Sequence, residues 1–209
     1  MISVRQQNFL LRKEKILAMA ETLLLDNNQD ITLSELATEL DIAKGTIYKH
    51  FKSKNQLYLE LIINNKKRLL ELSKKYNPNI QAYVSQYMLY NMLNSNRTIL
   101  LHVIEERLTN NERKLKDLFE ELYQIREERI LEIRDLFANH LKALNSTMSI
   151  RDYLSYIWTV TYGASLLLNS THYQKSIGSR ERLIKLYVKQ ALMTPDKLSE
   201  SNENIETQA

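Results

Sequence analysis

The sequence predicts an all-α fold of about nine helices, on three observations. Only three Gly and two Pro interrupt 209 residues, too few breaks for a turn-rich β-protein. Apolar residues recur at helical spacing along most of the chain rather than alternating. Helix-start signals, a Ser or Thr three residues before a Glu or Gln, stand where two of the periodic stretches begin.

The elements follow in order. Ile16, Ala20, Leu23 and Leu24 form one stripe on a first helix that ends near Asp26-Asn27-Asn28. A short helix over Thr32 to Leu40 opens with a capping box, Thr32 with Glu35. A third runs from Ala43 to His50. The fourth begins at a second box, Ser53 with Gln56, carries Leu57, Leu61, Leu69 and Leu72, and stops before Asn77-Pro78. Beyond it the pattern predicts helices over Ile80–Ser95, Arg97–Leu108, Glu112–Leu144, Ile150–Ser170 and Ser179–Met193. In the long Glu112–Leu144 segment the stripe is Leu115, Leu118, Leu122 and Ile125, then Ile130, Ile133, Phe137, Leu141 and Leu144, and the charges of the other face, with Glu112–Lys116 and Lys116–Glu120 at i,i+4, read as solvated.

Composition excludes several classes of function. Without Cys there are no disulfides or thiolate metal sites. No run of apolar residues is long enough for a transmembrane helix, and the first residues lack a signal-peptide pattern, so the expectation is a cytoplasmic protein. No Gly-rich phosphate loop, Gly-x-Ser-x-Gly elbow or paired His at metal spacing argues for an enzyme or a cofactor. His102, Glu105 and Glu106 share one helix face but do not make a metal site by themselves. The net charge of +4 is unevenly spread. Between Ala43 and Lys75 lie Lys44, Lys49, Lys52, Lys54, Lys66, Lys67, Arg68, Lys74 and Lys75, opposed only by Glu60 and Glu71.

The informative stretch is Thr32 to Phe51. Leu36, Ala37, Leu40, Ile42, Ile47 and Phe51 would close two short helices into a compact corner, with Ala37 small where they approach and Asp41 at a turn that needs positive φ. The outer side then carries Lys44, Gly45, Thr46, Tyr48, Lys49 and His50. A major-groove reader needs such a side: polar groups at base edges, flanked by groups on phosphates. Arg5, Arg12, Lys13 and Lys15 read either as an arm towards the minor groove or as a disordered basic tail.

Gly45-Thr46-Ile47-Tyr48-Lys49-His50-Phe51-Lys52-Ser53-Lys54-Asn55-Gln56-Leu57, with Ile16-Leu17 and Ala20 before it, resembles the DNA-binding domain of TetR-type transcriptional regulators. The likeness covers about the first 60 residues. Two positions depart from the pattern: Asp41 replaces the usual turn Gly, and Ala43 replaces a frequent Ser at the recognition-helix N-cap. The resemblance implies that Lys44, Gly45 and Thr46 meet base edges or the adjoining backbone, Lys44 suiting guanine O6 and N7. It implies that Thr32, Tyr48 and His50 meet phosphates, that Ser34 and Lys49 belong to the same DNA-facing set, and that Lys54 clamps a phosphate.

After Pro78 the helices are apolar on nearly every face, so they are buried by neighbours on several sides, either in a solid core or around a cavity. Resemblance to the family implies a cavity. A small, largely apolar ligand is then expected among Tyr83, Tyr87, Met88, Tyr90, Met92, His102 and Trp158. A protein partner for this half is the alternative. The last two helices, with Leu167 and Val188 among many apolar residues, suit an isologous homodimer. The expected organisation is a DNA-binding domain over 1–53, a connecting helix over 54–76, a ligand-binding and dimerisation domain over 77–195 and a disordered tail over 196–209. The function expected is a repressor released from double-stranded operator DNA by its ligand.

Overall fold

The computed structural model describes residues 3–27, 30–111, 113–176 and 179–196, and among them there is no strand. The helices are α1 (Val4–Asn27), α2 (Leu33–Glu39), α3 (Lys44–His50), α4 (Lys54–Tyr76), α5 (Ile80–Leu93), α6 (Ser95–Asn111), α7 (Lys116–Ala143), α8 (Ile150–Asn169), α9 (Thr171–Ser176) and α10 (Arg180–Ala191). A single 3₁₀ turn, Arg113–Leu115, precedes α7. The all-α class is therefore correct.

Boundaries differ from expectation in three places. α1 starts at Val4, so the basic residues Arg5, Arg12, Lys13 and Lys15 sit on a helix rather than on an extended arm or a disordered tail. In the expected Glu112–Leu144 helix, Glu112 lies outside the described residues, and Arg113–Leu115 form a 3₁₀ turn before α7. The six-residue α9 has no counterpart in the periodicity, because so short a segment shows less than two turns. Of the expected disordered tail, Asp196 is held: its carboxylate accepts from Ser146 Oγ at 2.8 Å and from the Thr147 amide at 2.9 Å. The remainder of that tail lies outside the described residues.

The chain divides into two compact units, residues 1–66 with 100–123, and residues 67–99 with 124–209. In the first, α2 packs on both α1 and α3. Ile16, Ala20 and Leu24 from α1, Leu36 from α2, Ile47 from α3, and Phe51, Leu57 and Tyr58 are all buried there. Ile16, Ala20 and Leu24 are one stripe at i, i+4 and i+8, as the sequence requires.

In the second unit α5, α8 and α10 pack on one another. Its core joins Tyr83, Val84, Tyr87, Met88 and Met92 of α5 to Ile133 and Phe137 of α7, Tyr153 and Ile157 of α8, and Ile184 and Ala191 of α10. The rings of Tyr87, Tyr83, Phe137 and Tyr153 follow one another at centroid spacings of 6.1, 5.7 and 5.6 Å. A helix end leaves carbonyls without intrahelical partners, and at α10 side chains supply them. Tyr153 donates its hydroxyl to Ala191 O at 2.7 Å, Tyr156 donates to Gln190 O at 3.3 Å, and His140 Nε2 lies 3.1 Å from Leu192 O. One part of the solvated-face reading of α7 is corrected here: Arg129 lies against Tyr83 and Tyr87, both members of this core.

Candidate nucleic-acid interface

The corner is set by its caps. The Glu35 amide donates to Thr32 Oγ1 at 3.1 Å, and the Thr32 amide donates to Glu35 Oε2 at 2.7 Å. That backbone donor, with the Thr32 side chain, holds the Glu35 carboxyl below the usual range. At the other end of α2, Asp41 has φ 49°. Its amide donates to Thr38 O at 3.1 Å and the Ile42 amide to Ala37 O at 3.0 Å. This pair of bonds is a Schellman turn, in which a left-handed residue stands just past the helix end. Asp therefore fills the position where a Gly is more usual, because its short polar side chain tolerates that region.

Held in this way, α3 buries only Ile47. Lys44, Gly45, Tyr48 and Lys49 are exposed, while Thr46 and His50 are half-buried. A Cβ on Gly45 would meet nothing within 4 Å, so nothing inside the protein requires glycine there. Lys44 reaches back across the corner and donates Nζ to Ser34 Oγ at 2.9 Å, both side chains exposed. Lys44 and Ser34, ten positions apart in sequence, thus share one side of the corner.

Lys54, at the start of α4, is held by Asp30 at 2.6 Å. Asp30 also accepts the Tyr58 hydroxyl at 2.7 Å, and the same hydroxyl accepts the buried Ile31 amide at 3.1 Å. Partial burial pushes the Asp30 carboxyl up, but donation from Lys54 and Tyr58 outweighs it and the net shift is downward. Burial, then the hydrogen bond to Asp30, pushes the Tyr58 phenol well up. The second capping box forms in altered shape. The Gln56 amide donates to Ser53 Oγ at 3.1 Å, while the Gln56 side chain accepts from the Lys52 amide at 2.9 Å.

The first turns of α1 enlarge the surface. Phe9 stacks on His50 at 4.1 Å, and His50 Nδ1 is buried without a hydrogen-bond partner. Burial, followed by the charges of Arg12 and Lys13, lowers the His50 pKa, so the ring is neutral at pH 7. Around this stack lies an open groove of about 890 Å³, lined by Arg5, Phe9, Arg12, Thr46, Lys49 and His50 among others. Lys13 points elsewhere: it pairs with Glu60 at 2.5 Å and lies 5.5 Å from the Phe51 ring centre. Asp30, Phe9 and this groove were beyond sequence reasoning.

The expected effector residues divide. Tyr83, Tyr87, Met88 and Met92 meet in the core of the second unit, with Tyr90 packed against it. Trp158 is half-buried, with its ring 5.3 Å from that of Tyr162. His102 belongs to the first unit and lies 4.0 Å from Glu106, while Glu105 faces Lys66 at 3.9 Å. Among the described residues no group of three His, Asp or Glu side chains is placed to hold a metal ion. No helix among them is long and apolar enough to cross a membrane.

Two comparisons with known proteins bear on the chain. Residues 16–61 match the family model of bacterial regulatory proteins, tetR family. The chain is also similar to the HTH-type transcriptional regulator QacR of Staphylococcus aureus, at 32% identity over 82 residues, which is 39% of this chain and 44% of that protein. The matched segment thus spans less than half the length of that relative.

Proposed function

We propose that the chain, whose residues 16–61 match the model of bacterial regulatory proteins of the tetR family, is a homodimeric repressor of that family, released from double-stranded operator DNA by a small molecule. The observation that carries the DNA-binding part is the exposed α3 side, with Lys44, Gly45, Tyr48 and Lys49 on a corner fixed by a capping box and a Schellman turn. Groups that read bases must be held in place before the duplex arrives, and both devices do that. Lys44, Gly45 and Thr46 take base edges. Ser34, Lys49, Tyr48, His50 and Thr32 take the sugar-phosphate backbone around them, and Lys54 exchanges Asp30 for a phosphate. Arg5 and Arg12, which line the same groove as Lys49, add charge beside α3.

Two faces of the second unit support pairing of two copies, the first on α8. Its inward side (Tyr153, Ile157, Thr161, Ala164 and Leu168) is used within the subunit. Its outward side carries Trp158, Tyr162 and Leu166 at i, i+4 and i+8, the last 46% exposed. A Cβ on Gly163 would meet nothing within 4 Å, leaving room for a close neighbour. Leu186, 61% exposed on α10, extends the apolar surface. The sensing part is assigned to the second unit around Tyr83, Tyr87, Met88, Tyr90 and Met92. α4 holds residues of both units and is the proposed lever.

The test is selection of bound duplexes from a random pool, followed by footprinting. A pseudo-palindromic site with one half-site per subunit is expected. No enriched sequence, or enrichment of a single half-site without symmetry, would refute the reading.

A further inference from the structure

In the second unit a cation is held by two phenols. Arg129, in the middle of α7, donates Nη1 to the Tyr83 hydroxyl at 3.0 Å, and its Cζ stands 5.4 Å from the centre of the Tyr87 ring. Both tyrosines are buried, while Arg129 is half-buried and so keeps part of its surface in solvent. The neighbouring carboxylates of α7 are engaged elsewhere. Glu128 takes Lys74 at 2.9 Å, and Glu132 accepts from Asn77 Nδ2 at 3.2 Å. Among the described residues no carboxylate pairs with Arg129.

A guanidinium stays charged at any pH a protein survives, and taking it out of water is costly unless an anion or a full set of acceptors replaces the water. Two neutral phenols replace only part of it. Burial raises both, Tyr87 to about 12, so neither is ionised at neutral pH. They also leave most of the five guanidinium N–H donors without a charged acceptor.

We propose that Arg129, with the Tyr83 and Tyr87 hydroxyls, is the anchor of the effector site, and that the effector is an organic carboxylate on an apolar body. The fork of the guanidinium matches the two carboxylate oxygens, and the phenols supply further donors. Met88 and Met92 are buried in the same core, and their flexible thioethers can repack around the remainder of the molecule. This rests on the reading of the second unit as the sensor, and it narrows the expected ligand from largely apolar to amphiphilic and anionic.

The experiment uses the full chain without DNA. Octanoate, decanoate and 4-butylbenzoate are each compared with the amide of the same skeleton and with octyltrimethylammonium, by calorimetry and by the shift in unfolding temperature. At least one carboxylate is expected to bind and to raise the unfolding temperature, with its amide at least about tenfold weaker. Arg129→Gln should remove that preference for the acid and Arg129→Lys should keep part of it. Tyr83→Phe retains the ring in the core and should weaken the acid several-fold; it decides the matter if Arg129→Gln does not fold. Three inert carboxylates, amides that bind equally well, or acid binding unchanged in both Arg129→Gln and Tyr83→Phe would overturn the assignment. Operator release is measured separately. An acid that binds at Arg129 without loosening DNA would refute the switch and leave the anion site standing, whereas intact operator binding with no acid bound refutes only the site.

Discussion

Replacing Lys54 by Ala separates the role of this side chain in the free protein from the phosphate contact proposed for it on DNA. In the free protein its ammonium meets Asp30 at 2.6 Å, with the two side chains 32% and 51% exposed. Pairs of that exposure are worth about 0.2–1 kcal/mol, so the variant should unfold at nearly the same denaturant concentration. On DNA the weight is larger. Each phosphate contact contributes roughly −0.9 to the slope of log affinity against log salt. A dimer presents Lys54 twice, so the slope should become shallower by about 1.8. Over a fourfold rise in salt, from about 50 to 200 mM, wild type should lose roughly tenfold more affinity than the variant. Anisotropy of a labelled operator measures this, alongside a duplex of unrelated sequence, and both duplexes should respond alike because phosphates carry no sequence. Asp30→Asn is the converse: it releases Lys54, removes a negative charge from the DNA side, and should strengthen both duplexes. An unchanged slope in Lys54→Ala, or a loss confined to the operator, would refute the clamp.

Four further outcomes are expected. Lys44→Ala should relax preference at one operator position, at a cost of about 1–3 kcal/mol there, as read by repeating the selection; an unaltered preference would assign Lys44 to its Ser34 contact alone. Tyr58→Phe strands the buried Ile31 amide and should cost about 1–3 kcal/mol of stability in urea unfolding, with little change in operator sequence preference. The Asp30 carboxyl is lowered in the fold, so its stabilisation is full above the ordinary carboxylate pKa and disappears as pH falls through the lowered folded value; Asp30→Asn should flatten that acid limb, and an identical limb would refute the linkage. Leu166→Glu and Leu186→Glu place charges on surfaces already exposed in the subunit, so each should give a folded monomer by sedimentation, and a persisting dimer from both would move the interface elsewhere.

The corner is legible in the sequence because local chemistry specifies it. A Thr and a Glu three apart, an apolar set at helical spacing and one residue suited to positive φ are all short-range signals, and each reappears as a bond or an angle: 3.1 and 2.7 Å in the capping box, φ 49° at Asp41. The start of α1 is not legible. Val4 to Leu11 are exposed throughout, so that segment has no buried stripe from which a period can be read. The partners of Lys54 and His50 are hidden for another reason. Asp30 stands 24 positions before Lys54 in a segment without periodicity, and Phe9 is 41 positions before His50. Such pairings are decided by tertiary packing.

Arg129 differs from these, because its signal is present in the sequence and charge alone misreads it. Ile125, Ile133, Phe137 and Leu141 lie on one i+4 row of α7 and all are buried. Arg129 occupies the vacant position of that row, between Ile125 and Ile133. Counted with the Glu, Lys and Arg around it, the residue joins a solvated helix face. Placed by its phase, it is a charge within the apolar stripe, which a fold tolerates at a cost unless something neutralises it. The two readings differ by one rotational position on the helix, and the hydroxyl 3.0 Å from Nη1 decides between them. Within the stripe the guanidinium organises two core tyrosines, and the charge left over is what the anionic effector would satisfy. A purely structural Arg129 predicts that acid and amide probes behave alike, so the discrimination between a carboxylate and its uncharged amide is the measurement on which the proposed sensing role of the second unit turns.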